Sequence, residues 1–136
     1  PFHKYIPEFD LYSKSLPASF DWWKQGKVTP AKSQGACGSC WAFASVGAME
    51  SKILIAGGPA YDLSEQQQVS CNKEMWGCNG GNMTALRFWY NEKPFKETCA
   101  PYEASDNVPC DKFSHCPGVD YNTTGYYTVT LWINIT

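Results

Sequence analysis

Gln34-Gly35-Ala36-Cys37-Gly38-Ser39-Cys40-Trp41-Ala42-Phe43 is the stretch that decides how the rest of the chain is read. It joins two textures. Upstream, Lys24 to Ser39 is polar and punctuated by Gly26, Pro30, Gly35 and Gly38, the composition of a loop. Downstream, from Cys40 to Ala56, apolar residues recur at Ala42, Val46, Met49 and Ile53, the spacing of one helix face, and Gly57-Gly58 supplies a stop. Cys40 therefore opens a helix, where unpaired backbone N–H groups and the helix dipole favour a thiolate, the form of cysteine that is a strong nucleophile. The small residues Ala44, Gly47, Ala48 and Ser51 on the other faces predict that this helix is central, with neighbours on several sides.

Working outward, Leu63-Ser64-Glu65-Gln66-Gln67 predicts a second helix running towards Cys71, with Ser64 as N-cap and Gln67 closing a capping box. Asn79-Gly80-Gly81 reads as a turn needing permissive backbone, and Thr84 to Tyr90 as a third short helix ended before Pro94. At the far end, Tyr127, Val129, Leu131, Ile133 and Ile135 alternate with Thr128, Thr130, Trp132, Asn134 and Thr136, the period of a half-buried strand. The class is therefore α+β. A lone strand needs partners, so continuation beyond Thr136 is expected. Residues 1–15 carry neither helical nor alternating period and read as an N-terminal extension, with Leu16-Pro17 opening the compact part. No charged-then-apolar leader follows Pro1, so any secretory signal is expected to have been removed or to lie outside the sequence.

The composition narrows the function classes. The chain has 136 residues, 43% hydrophobic and 18% charged, which fits a globular domain and excludes disordered and collagen-like classes. With 11 Lys+Arg against 13 Asp+Glu and no basic run, nothing points to a nucleic acid or an anionic membrane surface. The longest apolar stretches, Trp41 to Met49 and Ile53 to Ala56, fall short of the roughly 18 residues of a membrane span. Seven cysteines, with glycosylation acceptors at Asn82-Met83-Thr84, Asn122-Thr123-Thr124 and Asn134-Ile135-Thr136, favour the secretory pathway, either lysosome or vacuole or the extracellular space. An odd cysteine count leaves one thiol free if six pair, and Cys40 is the candidate, while the connectivity of the others stays open. Cys37-Gly38-Ser39-Cys40 could be a thioredoxin-like redox pair, but that motif should follow a strand and here follows a polar loop. The spacings of Cys71 to Cys78 and Cys110 to Cys116 are wrong for a zinc site, so neither a metal nor a cofactor is expected.

The stretch from Gln34 to Phe43 resembles the active-site motif of papain-family (cathepsin-like) cysteine proteases. The likeness continues through Leu16-Pro17, Asp21-Trp22, Val28-Thr29-Pro30, Ser64-Glu65-Gln66, Cys71, Gly77-Cys78-Asn79-Gly80-Gly81 and Pro101-Tyr102-Glu103, covering roughly Leu16 to Cys116. The resemblance implies a two-lobed fold, of which this chain would be the helical N-terminal lobe plus the first strand of the β lobe. It implies that Cys40 is the nucleophile and that the Gln34 amide forms an oxyanion hole with the Cys40 backbone N–H. It also implies a substrate cleft lined by Gly38, Ser39, Trp41, Gly80 and Gly81, with Asn82 and Met83 near the subsites, and a peptide or protein substrate bound through backbone hydrogen bonds. The implied bridges are Cys37 with Cys78 and Cys71 with Cys110. Cys99 and Cys116 are similar to an extra bridge of the dipeptidyl peptidase of the family, cathepsin C.

The chain also departs from the pattern. The family places its general base His, and an Asn, roughly 130 to 150 residues beyond the nucleophile, and Thr136 comes sooner than that. The histidines present, His3 and His115, correspond to neither. Residues 16–136 are therefore expected to be the N-terminal portion of a peptidase domain, inactive alone, with His and Asn supplied by a second chain or a C-terminal half. Residues 1–15 could be the end of a propeptide. A glycan at Asn82 would stand beside the subsites and mark a non-proteolytic or restricted-substrate member. The rival from another class is a papain-fold secreted glycoprotein with a structural or binding role and no catalysis. Intact Cys40 and Gln34 weigh against it.

Overall fold

The computed structural model describes residues 17–126. The predicted extension at residues 1–15 and the predicted strand from Tyr127 lie outside the described residues. The described residues form two α-helices and two 3-10 segments: α1 (Cys40–Ile55), α2 (Glu65–Cys71), Met83–Tyr90 and Cys110–Phe113. Among them, pairing of extended backbone is confined to isolated bridges, Gly38 with Asn79, Leu63 with Lys96 and Phe95 with Gly118.

Helix α1 buries the face its sequence marks: Ala42, Val46, Met49 and Ile53 are all in the core. It ends in a Schellman motif, since Gly58 N–H donates to Ile53 O at 2.9 Å and Gly57 N–H to Leu54 O at 3.1 Å, with Gly57 at φ +87°. The small-residue faces are another matter. Ala44 and Ala48 are exposed and Gly47 and Ser51 half-buried, so among the described residues α1 is covered on one side rather than central.

Helix α2 starts where its cap predicts, with Ser64 Oγ accepting from Gln67 N–H at 3.0 Å. The reciprocal half of the capping box does not form. Ser64 N–H donates instead to Phe95 O, and the Gln67 side chain donates to Lys93 O at 3.0 Å and accepts from Phe95 N–H at 2.7 Å. A neighbouring extended segment outcompetes the local cap because it offers the Gln67 amide both a donor and an acceptor. Gln66, Gln67 and Gln68 are all buried, and each amide is satisfied by a different neighbour.

The third predicted helix is a 3-10 segment, Met83–Tyr90, capped by Asn82, whose side chain accepts from Thr84 N–H. Its Trp89 is fully buried with Val46, Met49, Ile53 and Leu63, and its indole N–H donates to Ser45 Oγ at 2.8 Å. A second cluster, Trp41, Ala42, Val69, Met75 and Ala85, lies under the start of α1, and a third gathers Ala100, Val108 and Phe113 around Cys116. Three disulfides, Cys37–Cys78, Cys71–Cys110 and Cys99–Cys116, tie the loops to these clusters, and they are the pairs the family resemblance implies. No helix among the described residues is long and apolar enough to cross a membrane.

Candidate active site

Cys40 is the free cysteine among the described residues, and it is exposed. It is the first residue of α1, and the preceding Ser39 makes no side-chain cap to the helix. Backbone donation into this turn starts at Ala42, whose N–H reaches Ser39 O at 2.8 Å; the Cys40 N–H has no hydrogen bond among the described residues. A free N–H beside an exposed thiol at a helix N-terminus is a place where negative charge is stabilised.

Gln34 comes to the same turn. Its side-chain amide donates to Cys37 O at 2.8 Å. An amide NH2 carries two donors, so one proton anchors Gln34 and a second donor remains. The Gln34 carbonyl accepts from the Tyr102 hydroxyl at 2.7 Å, and Tyr102 Oη lies 2.6 Å from Ser39 Oγ. Because the Tyr102 proton goes to a carbonyl, Ser39 donates in the second bond. Tyr102 is thus the strut between Gln34 and Ser39, the residue before Cys40. Phe43 packs edge-on against its ring with centroids 4.9 Å apart. The resemblance covers Tyr102 but assigns it no role, because its partners are 63 and 68 residues away in sequence.

A second loop is clamped onto the first. Gly38 N–H donates to Cys78 O at 2.9 Å, and a Cβ at Gly38 would lie 2.3 Å from that same oxygen, so the Cys37–Cys78 loops meet this closely only with glycine there. Gly81 lies against the Trp41 indole, where a Cβ would be 2.5 Å from the ring. The Trp41 indole N–H donates to Gly77 O at 3.0 Å. Ser39 and Trp41 are buried beneath these loops, whereas Asn82 and Met83 are exposed beyond Gly81. Trp76, absent from the sequence expectations, is 61% exposed and shares a tight turn with the second loop, its N–H donating to Gly80 O at 3.1 Å. The available signal was a tryptophan directly before Gly77-Cys78, at a position with no apolar period around it.

The remaining readings separate on the same geometry. Cys37 is bridged to Cys78, so Cys37 and Cys40 are not a redox pair. His115 is exposed beside Cys116, with Nε2 3.8 Å from Sγ, at the edge of the cluster that holds Cys116 and Phe113. Cys99, His115 and Cys116 have metal-ligand spacing, but the two sulfurs are joined in a disulfide. Asn122 is exposed, and Asn134 lies outside the described residues.

An exposed free cysteine at a helix start thus has an amide donor tethered to the same turn and a glycine-bearing loop beside it. The chain belongs to the papain family of cysteine proteases, whose profile it matches over residues 16–132. It is 40% identical over 116 residues to chymopapain of Carica papaya, covering 85% of this chain and 32% of that protein. It is 42% identical over 103 residues to cathepsin O of Homo sapiens, covering 74% of this chain and 32% of that one. Among solved structures, a cysteine protease of Carica candamarcensis superposes with a TM-score of 0.72 at 37% identity, over 81% of this chain and 51% of that chain. The bromelain protease of Ananas comosus superposes with a TM-score of 0.67 at 38% identity, over 76% and 47%. The chain thus spans about a third of the length of the curated relatives it matches.

Proposed function

We propose that this chain supplies the nucleophile lobe of a cysteine-type peptidase, with the general base histidine and its orienting asparagine coming from a C-terminal half or a second chain. The observation that carries the reading is the exposed, free Cys40 at the start of α1 with the Gln34 amide tethered to the same turn. The thiolate, paired with the imidazolium, attacks the scissile carbonyl carbon. The oxyanion that forms takes hydrogen bonds from the Cys40 N–H and the second Gln34 amide proton. The carbonyl carbon–nitrogen bond then breaks, and the leaving amine takes its proton from the imidazolium. Water, deprotonated by the same imidazole, hydrolyses the thioester and restores the thiolate.

The substrate is an extended peptide lying along Gly80 and Gly81, with Trp76 and Met83 as apolar rim. Three disulfides among the described residues support a place in the secretory pathway, in lysosome or vacuole or outside the cell.

The test is treatment of the full-length protein at about pH 5 with an epoxide probe for activated thiols, followed by peptide mapping without reduction. Labelling confined to Cys40 is expected, and loss of the label in Cys40→Ser. An inert Cys40 in the full-length protein overturns the reading and favours a non-catalytic papain-fold glycoprotein.

A further inference from the structure

Asn82 opens an Asn-Met-Thr acceptor on the residue directly after the glycine wall. Its Oδ1 is occupied twice, accepting from Thr84 N–H at 2.9 Å and from Thr84 Oγ1 at 2.6 Å, which caps the following 3-10 segment. Its backbone N–H is held by Met75 Sδ at 3.3 Å. The carboxamide nitrogen has no hydrogen bond among the described residues, and the residue is exposed. An amide is planar, so pinning the oxygen inward on Thr84 turns the nitrogen away from the segment, towards solvent. A substituent on Nδ2 therefore disturbs neither the cap nor the packing beneath.

We propose that Asn82 carries an N-linked oligosaccharide that stands on the rim of the cleft and restricts it to narrow, extended peptides. The inference rests on the peptidase reading of Cys40. The transfer forms a bond from Nδ2 to the anomeric carbon of a lipid-diphosphate-linked oligosaccharide. The bond from that carbon to the diphosphate oxygen breaks, and the amide proton leaves with the lipid diphosphate. The position gives the glycan its consequence, because Gly81 lies on the indole of Trp41, the neighbour of Cys40, so anything rooted at Asn82 projects from the wall beside the nucleophile. Asn122 provides an internal control. It borders the same surface recess as Lys52 and Ile53, which lie roughly 18 Å along α1 from Cys40 at the usual helical rise.

The experiment uses the full-length protein secreted from a eukaryotic host, with glycopeptides mapped by enzymatic release in heavy-oxygen water. A glycan on the Asn82 peptide is expected. Asn82→Asp removes the acceptor nitrogen but keeps an oxygen for Thr84, Thr84→Val removes the acceptor through a different residue, and Thr84→Ser preserves it. The first two are expected to raise kcat/KM on a folded protein substrate, relative to a dipeptidyl amide, by about tenfold, while Thr84→Ser follows the wild type. A bare Asn82 beside a glycosylated Asn122 overturns the proposal, and so does a glycosylated Asn82 whose removal leaves the ratio unchanged. Epoxide labelling of Cys40 is read in parallel. If no form labels, the peptidase reading fails, and Asn82 occupancy alone decides whether the modification site stands.

Discussion

Raising the pH should destabilise this fold through Glu65. Its side chain is 2% exposed, with Oε1 2.7 Å from Lys32 Nζ and Oε2 buried without a partner. Burial raises the carboxyl and Lys32 lowers it, and burial wins because one oxygen has exchanged water for nothing, leaving the group pushed up to about 7 from 4.5. The neighbouring carboxylates do not relieve it. Glu97 is raised by its own burial, with Oε1 taken by Tyr102 N–H, while Glu50 is committed to Leu63 N–H and Thr29. Lys32 loses by burial and gains more from hydrogen bonds to Asp62 and Glu65, so its ammonium persists throughout.

The sign follows from linkage. Below pH 4.5 both states hold the Glu65 proton, and the folded state has its full relative stability. Between 4.5 and about 7 the unfolded chain has released the proton and the folded chain has not, so stability falls as pH rises. At 1.36 kcal/mol per pKa unit the ceiling is about 3 kcal/mol, and water reaching the partly exposed Lys32 brings the expected loss to roughly 1–3 kcal/mol. The assay is urea unfolding of the full-length protein from about pH 4.5 to about pH 7.5, wild type against Glu65→Gln. The wild type should lose stability across that range and the variant should lose less, its remaining slope belonging to Glu97. Parallel slopes for the two proteins would refute the argument.

Other perturbations read other parts of the molecule. Tyr102→Phe keeps the ring on Phe43 but frees Gln34 O and Ser39, and a lost hydrogen bond of about 1–1.5 kcal/mol should lower kcat roughly tenfold in the complete enzyme with KM little changed; a purely structural role would lower Tm without that split. Gly81→Ala pushes a methyl into the Trp41 indole and should cost about 1–3 kcal/mol in denaturant unfolding, with indole fluorescence reporting the displaced ring. Replacing Cys71 and Cys110 together by Ser opens a loop with a sequence separation of 39 and should lower unfolding free energy by about 3–4 kcal/mol, measured without reductant.

Helix α1 was legible in the sequence down to its last turn because everything that specifies it is local: apolar spacing, then two glycines able to close a Schellman motif. Helix α2 was legible as a helix but not as a buried one. Glu65-Gln66-Gln67-Gln68 has the polarity of a solvated face, yet all four are core residues. The burial of Gln66 and Gln67 depends on backbone groups of Lys93, Phe95, Glu103 and Ser105, that of Gln68 on Ser45, and that of Glu65 on Lys32, none of which a window around α2 contains. The segment Met83–Tyr90 was placed correctly but winds as 3-10, and its run of Phe88, Trp89 and Tyr90 is poor at sustaining α geometry.

The site divides the same way. Cys40 and Gln34 belong to one short motif, so the family likeness reaches both, whereas Tyr102 and Trp76 acquire their places only when distant loops close. What those loops accomplish explains why a nucleophile can sit on so glycine-rich a turn. A free loop from Gln34 to Ser39 would sample many conformations, and the Gln34 amide would rarely face the thiol. Here the loop is fixed from two directions: Cys37 and Gly38 are fastened to Cys78, and Gln34 and Ser39 are fastened to the Tyr102 hydroxyl. Trp41, the first residue after Cys40, carries Gly81 on its ring, so the glycine loop is referenced to the helix that bears Cys40. Thiol, amide donor and glycine loop therefore share one frame, and under the proposed function the entropy of aligning them is met by folding rather than by binding.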